Sequence, residues 1–185
     1  MKYVVTGGAG FIGSNLVDKL VSESHEVHVI DNFISGKKEN CNENARYHDI
    51  DIANVTNLNI IKKALDKCDT VFHCAALARV QPSILNPIKY EINNTLGIMN
   101  MLKCSVDMGV RRFVYSASSS AYGSTNKLPS KELDKPNPIS PYANQKYYGE
   151  LCCKMFSKVY SIETVSLRYF NVYGERQNLG GAYAT

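Results

Sequence analysis

Tyr142 and Lys146 lie four residues apart in the run Ser140-Pro141-Tyr142-Ala143-Asn144-Gln145-Lys146, and such a pair can do acid–base chemistry. Ser140 suits a helix N-cap and Pro141 the first helical position. A helix starting there sets both side chains on one face. An ammonium held beside a phenol stabilises the phenolate and draws its pKa from about 10 toward neutrality. That tyrosine could then take a proton from a substrate hydroxyl. Two ordinary surface residues would show the same spacing, so its weight depends on what accompanies it. One companion is Ser116-Ala117-Ser118-Ser119-Ser120-Ala121-Tyr122-Gly123, a hydroxyl cluster at the end of a strand-like run. A hydroxyl there can bond both a reacting oxygen and the tyrosine; standing alone, the cluster would read as a polar turn.

The other companion is Thr6-Gly7-Gly8-Ala9-Gly10-Phe11-Ile12-Gly13, between a strand-like run and a helical one. The first glycine permits a tight turn, the next lets backbone approach a pyrophosphate, and Gly13 lets helix and strand pack closely. The helix N-terminus offers free N–H groups and a positive dipole end to the phosphates. Asp31 closes the second strand, where its carboxylate can accept from the adenosine ribose hydroxyls. It would repel the extra phosphate of NADP, which favours NAD. The plain alternative is a glycine turn that only packs a helix on a strand, with Asp31 capping a loop. Strand, helix and acid coinciding speak against it.

These residues need a scaffold, and strand-like apolar runs alternate with helical stretches along the whole chain. That alternation marks an α/β fold, a Rossmann-type doubly wound parallel sheet. Strands are expected at Lys2–Thr6, Glu26–Asp31, 46–48, 69–74, 112–116 and 164–169. Helices are expected at 10–22, 55–66, 88–108 and Pro141–Tyr160, with one long loop over 119–140. The 185 residues suffice for one domain with a real core. A hydrophobic share of 44% with 21% charged residues points to a soluble globular protein. The net charge of +4 is scattered, with no basic stripe or motif for nucleic acid. Six cysteines without C-x-x-C or Cys/His ligand spacing read as reduced thiols, so no metal and a cytoplasmic protein are expected. No apolar run approaches the roughly 18 residues of a membrane span, and no signal peptide precedes the first strand, so no membrane association is expected.

Taken together, the motifs resemble the extended short-chain dehydrogenase/reductases, and within them the NAD-dependent nucleotide-sugar epimerase/dehydratase family. The resemblance covers the whole chain. It rests on residues 6–13, Asp31, Asp49-Ile50, Cys74-Ala75-Ala76, Ser118, the Tyr142/Lys146 pair and Arg168-Tyr169-Phe170-Asn171-Val172-Tyr173-Gly174. It implies that Gly7, Gly10, Phe11 and Ile12 hold NAD together with Asp31, Asn32, Ser35 and Gly36. It further implies that Asp49 and Ile50 take the adenine edge, that Ala75, Ala76 and Ala78 line the cofactor, and that Asn94 helps position it. By the same resemblance Tyr142 is the base, Lys146 binds the nicotinamide ribose and tunes the tyrosine, and Ser118 assists proton transfer. Ser120 and Asn171 would touch substrate, and Tyr169 would lie against the nicotinamide. The family's dehydratases resemble one another in an acid soon after the catalytic Ser/Thr. This chain has Ser118-Ser119-Ser120 instead, and a serine is a poor acid for expelling a hydroxyl. The implied reaction is therefore NAD-dependent 4-epimerisation of a UDP-hexose, by oxidation at C4 and hydride return to the other face.

Family members are well over 300 residues long, so the resemblance implies that most of a C-terminal substrate domain is absent. Residues 1–174 would form the NAD-binding domain and 175–185 the start of the segment leading onward. Two readings stay open: a working UDP-sugar epimerase, or an NAD-loaded module with little substrate capture. A UDP-glucuronate 4-epimerase is a third. The family also implies a homodimer through helices near 88–108 and 141–160. Ile92, Leu96, Met99, Leu102, Leu151, Met155 and Val159 recur there at helical spacing, though part of that stripe can equally face the sheet.

Overall fold

Six parallel strands make one sheet in a computed structural model of the chain, which describes residues 1–124 and 128–177. They are β1 (Lys2–Thr6), β2 (Glu26–Asp31), β3 (Arg46–Asp49), β4 (Thr70–His73), β5 (Arg112–Ser118) and β6 (Glu163–Tyr169), in the order β3-β2-β1-β4-β5-β6. The helices are α1 (Phe11–Ser22), α2 (Leu58–Ala64), α3 (Val80–Leu85), α4 (Pro87–Glu91), α5 (Gly97–Asp107) and α6 (Pro141–Tyr160). The order reverses between β1 and β4. At such a switch point the connections leave in opposite directions and open a crevice beyond the strand ends.

Side-chain alternation along the strands builds two cores. Val4 joins Ile61, Leu65, Ile98, Met101, Leu102, Phe113, Cys152 and Phe156 beneath α2, α5 and α6. Val5 points the other way, to Val17, Leu20, Val27 and Val29 beneath α1. All six cysteines are free thiols. No helix of the described residues is long and apolar enough to cross a membrane.

Several expected elements change shape. β5 runs to Ser118, two residues beyond its expected end, because β6 pairs with it as far as Ser118↔Tyr169. That places the serine cluster at the tip of a strand. The expected 88–108 helix is α4, a π turn over Ile92–Leu96, and α5 in succession. The expected 55–66 helix is a 3₁₀ turn, Val55–Asn57, leading into α2. Helix α3 was not anticipated: its Pro82 falls in the first turn, where no N–H is missed. Within the expected 119–140 loop, Ser119–Tyr122 forms a 3₁₀ turn. Arg168 fixes this turn from β6: it makes bonds of 2.8 and 2.7 Å to both oxygens of Glu150 on α6 and lies 4.7 Å from the Tyr122 ring centre. Residues 125–127 and 178–185 lie outside the described part, so of the expected segment 175–185 only 175–177 are described. There Asn15 donates to the Glu175 carbonyl (3.0 Å) and Arg176 pairs with Asp18 (2.6 Å), turning the chain back over α1.

Candidate active site

The glycine turn is folded tightly against the start of the 74–78 loop. Gly7 has φ +70°, and a Cβ there would stand 2.7 Å from the Ala75 nitrogen, so neither the backbone angle nor the space admits a side chain. Thr6 ties the two segments together: its Oγ1 accepts from the Ala75 N–H at 3.2 Å and meets His73 Nδ1 at 2.9 Å. Asp31 braces the other side, accepting from the Ala9 N–H (2.9 Å) and the Phe33 N–H (2.8 Å). Gly36 crosses directly over that carboxylate.

Between these walls runs a cleft of about 940 Å³, within the range of small-molecule and cofactor sites. Gly7, Gly10, Phe11, Ile12, Asp31, Asn32, Ser35, Ile50, Ala75, Ala76 and Ala78 all line it. Asp49 does not: it is exposed at the end of β3, and Asp51 and Ile52 line the cleft instead. The doublet Asp-Ile is repeated over 49–52 and β3 ends at Asp49, so the motif alone does not say which aspartate turns toward the cleft. Lys37, Arg79, Arg176 and Gln177 also reach the cleft without a sequence motif to announce them. A glycine turn with no room for a Cβ at Gly7 or Gly13, an acid at the tip of β2 and the volume of the cleft together fit a dinucleotide.

Asn94, Tyr142, Lys146 and Tyr169 stand outside the cleft lining. Asn94 is 4% exposed, its carboxamide engaged with the Leu77 peptide and Gln145. Tyr169 lies half-buried beside Ser116 and Cys74 at the end of β6, and Asn171 is exposed just after it.

Tyr142, Lys146 and Ser118 do come together. The Ser140 side chain caps α6 by accepting from the Ala143 N–H at 3.2 Å, which sets Tyr142 in the first turn. Ser118 Oγ accepts from both the N–H (3.2 Å) and the hydroxyl (2.8 Å) of Ser120. With both lone pairs taken, its own O–H remains to donate toward the Tyr142 oxygen, whose pKa Ser118 lowers. The Lys146 Nζ donates to the Ser116 carbonyl at 2.8 Å and stands 5.9 Å from the Tyr142 ring centre.

The electrostatics differ from the expectation. Burial pushes the Tyr142 phenol above its ordinary value, and the Ser118 bond offsets only part of that. Burial also pushes the Lys146 ammonium down to about 8. Lys146 stands 5.9 Å from the ring and its own charged form is disfavoured by burial, so desolvation prevails at Tyr142 and the downward pull is not realised by the chain alone.

His73 gives a pH-dependent prediction. Burial pushes its imidazole down to about 3, and His28 and His48 are lowered by burial as well. Unfolded histidines take up protons below about pH 6.5, whereas His73 stays neutral in the fold and His28 and His48 protonate less readily than when unfolded. Their contribution is therefore complete above that pH and is lost as pH falls toward the folded values. Urea midpoints should drop between about pH 7 and pH 5, less so in His73→Gln, and equal midpoints at both pH values would refute this.

A model of the NAD-dependent epimerase/dehydratase family matches residues 3–184. The chain belongs to that family. A putative UDP-glucose 4-epimerase of Methanocaldococcus jannaschii is 40% identical over 96% of this chain and 58% of its own length. Among solved structures, UDP-glucose 4-epimerase of Thermotoga maritima, with UDP-glucose, superposes with TM-score 0.92 at 39% identity, over 98% of this chain and 59% of that one. A dTDP-glucose 4,6-dehydratase of Streptomyces venezuelae, with NAD, also reaches TM-score 0.92 at 29% identity, over 100% of this chain and 60% of that one. The chain thus spans little more than half the length of the relatives it matches. Epimerase and dehydratase superpose equally well, so family membership and fold leave the reaction to particular side chains.

Proposed function

We propose that this chain binds NAD and carries the proton-transfer site of a UDP-hexose 4-epimerase. The observation that carries the reading is the Ser120–Ser118–Tyr142 hydroxyl series at the tip of β5, in which Ser119 and Ser120 stand where a dehydratase would need an acid. Gly7, Gly10, Phe11 and Ile12 would hold the diphosphate, Asp31 the adenosine ribose, and Ala75, Ala76 and Ala78 the opposite wall. NAD, when bound, supplies the two-electron acceptor for the sugar C4 and, in its oxidised form, a positive charge in a buried site. Tyr142 takes the proton of the 4-hydroxyl through its phenolic oxygen and returns it when the hydroxyl is restored. Ser118 orients that oxygen by donating to it. Lys146, anchored on Ser116, keeps a cation within reach of both.

The relatives' names support UDP-hexoses as the substrate class. The reading takes residues 1–174 as the NAD-binding domain and 175–185 as the beginning of the segment that leads to substrate contacts. Conversion of UDP-galactose to UDP-glucose by the purified chain, beside calorimetric titration with NAD and with UDP-sugar, tests it. NAD binding without UDP-sugar affinity or turnover would leave a cofactor-binding module.

A second copy is the proposed partner at the two long helices. Ile88, Ile92, Leu96, Leu151, Met155 and Val159 are exposed along them, whereas Leu102 is fully buried against the sheet and Met99 packs on the core. Exposed apolar side chains recurring at helical spacing suit a two-fold interface. Leu151→Lys should turn a dimer into a monomer in sedimentation velocity with little change in unfolding temperature; an unchanged dimer would rule out this face.

A further inference from the structure

Three side chains outside the dinucleotide cleft form a polar relay that ends on its wall. The Leu77 peptide has left the sheet, and the Asn94 carboxamide serves it as a substitute strand. Asn94 Oδ1 accepts from the Leu77 N–H at 2.8 Å, and Asn94 Nδ2 donates to the Leu77 carbonyl at 3.1 Å. The same Nδ2 donates to Gln145 Oε1 at 3.0 Å, and Gln145 Nε2 donates to Glu91 Oε2 at 3.0 Å. The π turn over Ile92–Leu96 carries Asn94, and such an extra residue in a helical turn re-aims a side chain. Gln145 is 2% exposed and sits on α6 next to Lys146, three residues after Tyr142.

A carboxamide can satisfy its neighbours in two flipped orientations, and each link here excludes one of them. Glu91, as a carboxylate, accepts only, so Gln145 must turn its NH₂ to it and its oxygen to Asn94. Asn94 must then present its NH₂ to that oxygen, which leaves its own oxygen for the Leu77 N–H. Flipping Asn94 would set oxygen against the Gln145 oxygen and against the Leu77 carbonyl. Glu91 lies on the exposed side of α4 and does not line the cleft.

We propose that Gln145 is a positioning residue, oriented by Glu91, that through Asn94 fixes the 74–78 wall of the NAD cleft relative to Tyr142 and Lys146 on its own helix. It touches neither ligand; it sets the distance between the part of the chain that holds the cofactor and the part that moves the proton. This inference rests on the NAD-binding reading above.

The test uses Gln145→Met, Glu91→Leu, Glu91→Gln and the Gln145→Met/Glu91→Leu double variant. Hydrogen exchange of the Leu77 amide in the ligand-free chain reads the relay, and calorimetry reads NAD affinity. Gln145→Met should speed Leu77 exchange and weaken NAD binding by about tenfold each, the scale of one buried hydrogen bond. Glu91→Leu should do the same by a few-fold although it lies outside the cleft, Glu91→Gln should restore most of the loss by keeping an acceptor, and Glu91→Leu should add nothing in the Gln145→Met background. A purely structural role would lower the unfolding temperature while Leu77 exchange, measured under conditions where the chain is folded, and NAD affinity stayed at the wild-type values. That result, or additive effects of the two substitutions, overturns the proposal. Failure of the wild-type chain to bind NAD overturns the function reading instead, and Leu77 exchange then decides the relay by itself.

Discussion

Tyr142→Phe is expected to lower interconversion of UDP-galactose and UDP-glucose by at least about a thousandfold, within the range of general acid–base catalysis. The substitution removes one oxygen and leaves the ring, the α6 N-cap and the Lys146–Ser116 bond in place. NAD affinity and unfolding temperature should therefore stay near those of the wild type. A companion spectroscopic readout locates the proton. In the ligand-free chain the Tyr142 phenol is held above its ordinary value by burial, so no tyrosinate signal should appear near neutral pH. NAD loading brings a positive charge into a buried site, where charges act strongly, and a tyrosinate absorbance that rises toward neutrality should appear. That absorbance should be missing from Tyr142→Phe. Full turnover in Tyr142→Phe would remove Tyr142 as the base. A neutral-pH tyrosinate in the ligand-free wild type would show that Lys146 does more than its geometry allows.

Gly13→Val is expected to abolish NAD binding, a loss beyond about a hundredfold, or about 3 kcal/mol. A Cβ at Gly13 would lie 2.2 Å from the Gly7 carbonyl oxygen and 2.8 Å from both the Gly7 carbonyl carbon and the Gly8 Cα. Every one of these atoms is backbone, so no side chain can swing aside. The only relief is to push α1 away from the end of β1, which opens the cradle and unseats Val17 from Val5 and Val29 beneath it. Overpacking of this kind costs about 1–3 kcal/mol of stability, so the unfolding temperature should fall as well. Calorimetric titration with NAD and a thermal melt on the same sample separate the two effects. Wild-type affinity in Gly13→Val would show that the turn does not cradle the dinucleotide.

Much of the site was legible because its parts are local. A glycine turn between strand and helix, an acid ending the next strand, and a Tyr/Lys pair on one turn of helix are all short-range geometry. The N-cap at Ser140 and the start of α6 at Pro141 followed the same local rules. Elements whose form depends on distant partners were harder to read. Ser118 reaches the tip of β5 because β6, some fifty residues later, extends the ladder to it. The π turn around Asn94 has no signature in its own residues. The aim of Asn94 toward Leu77 follows from packing among α4, α5 and α6.

By itself the sequence determined the α/β alternation, the glycine cradle with Asp31, and the placement of Tyr142 and Lys146 on one helix face, because backbone preference and residue spacing decide such features within a few residues. Only the tertiary structure decided that Asp51 rather than Asp49 faces the cleft, how the Leu77 wall is tied to α6, and in which direction Tyr142 titrates. Those depend on burial and on hydrogen bonds between residues tens of positions apart. Desolvation outweighs the Ser118 bond at Tyr142, and no spacing rule carries that balance.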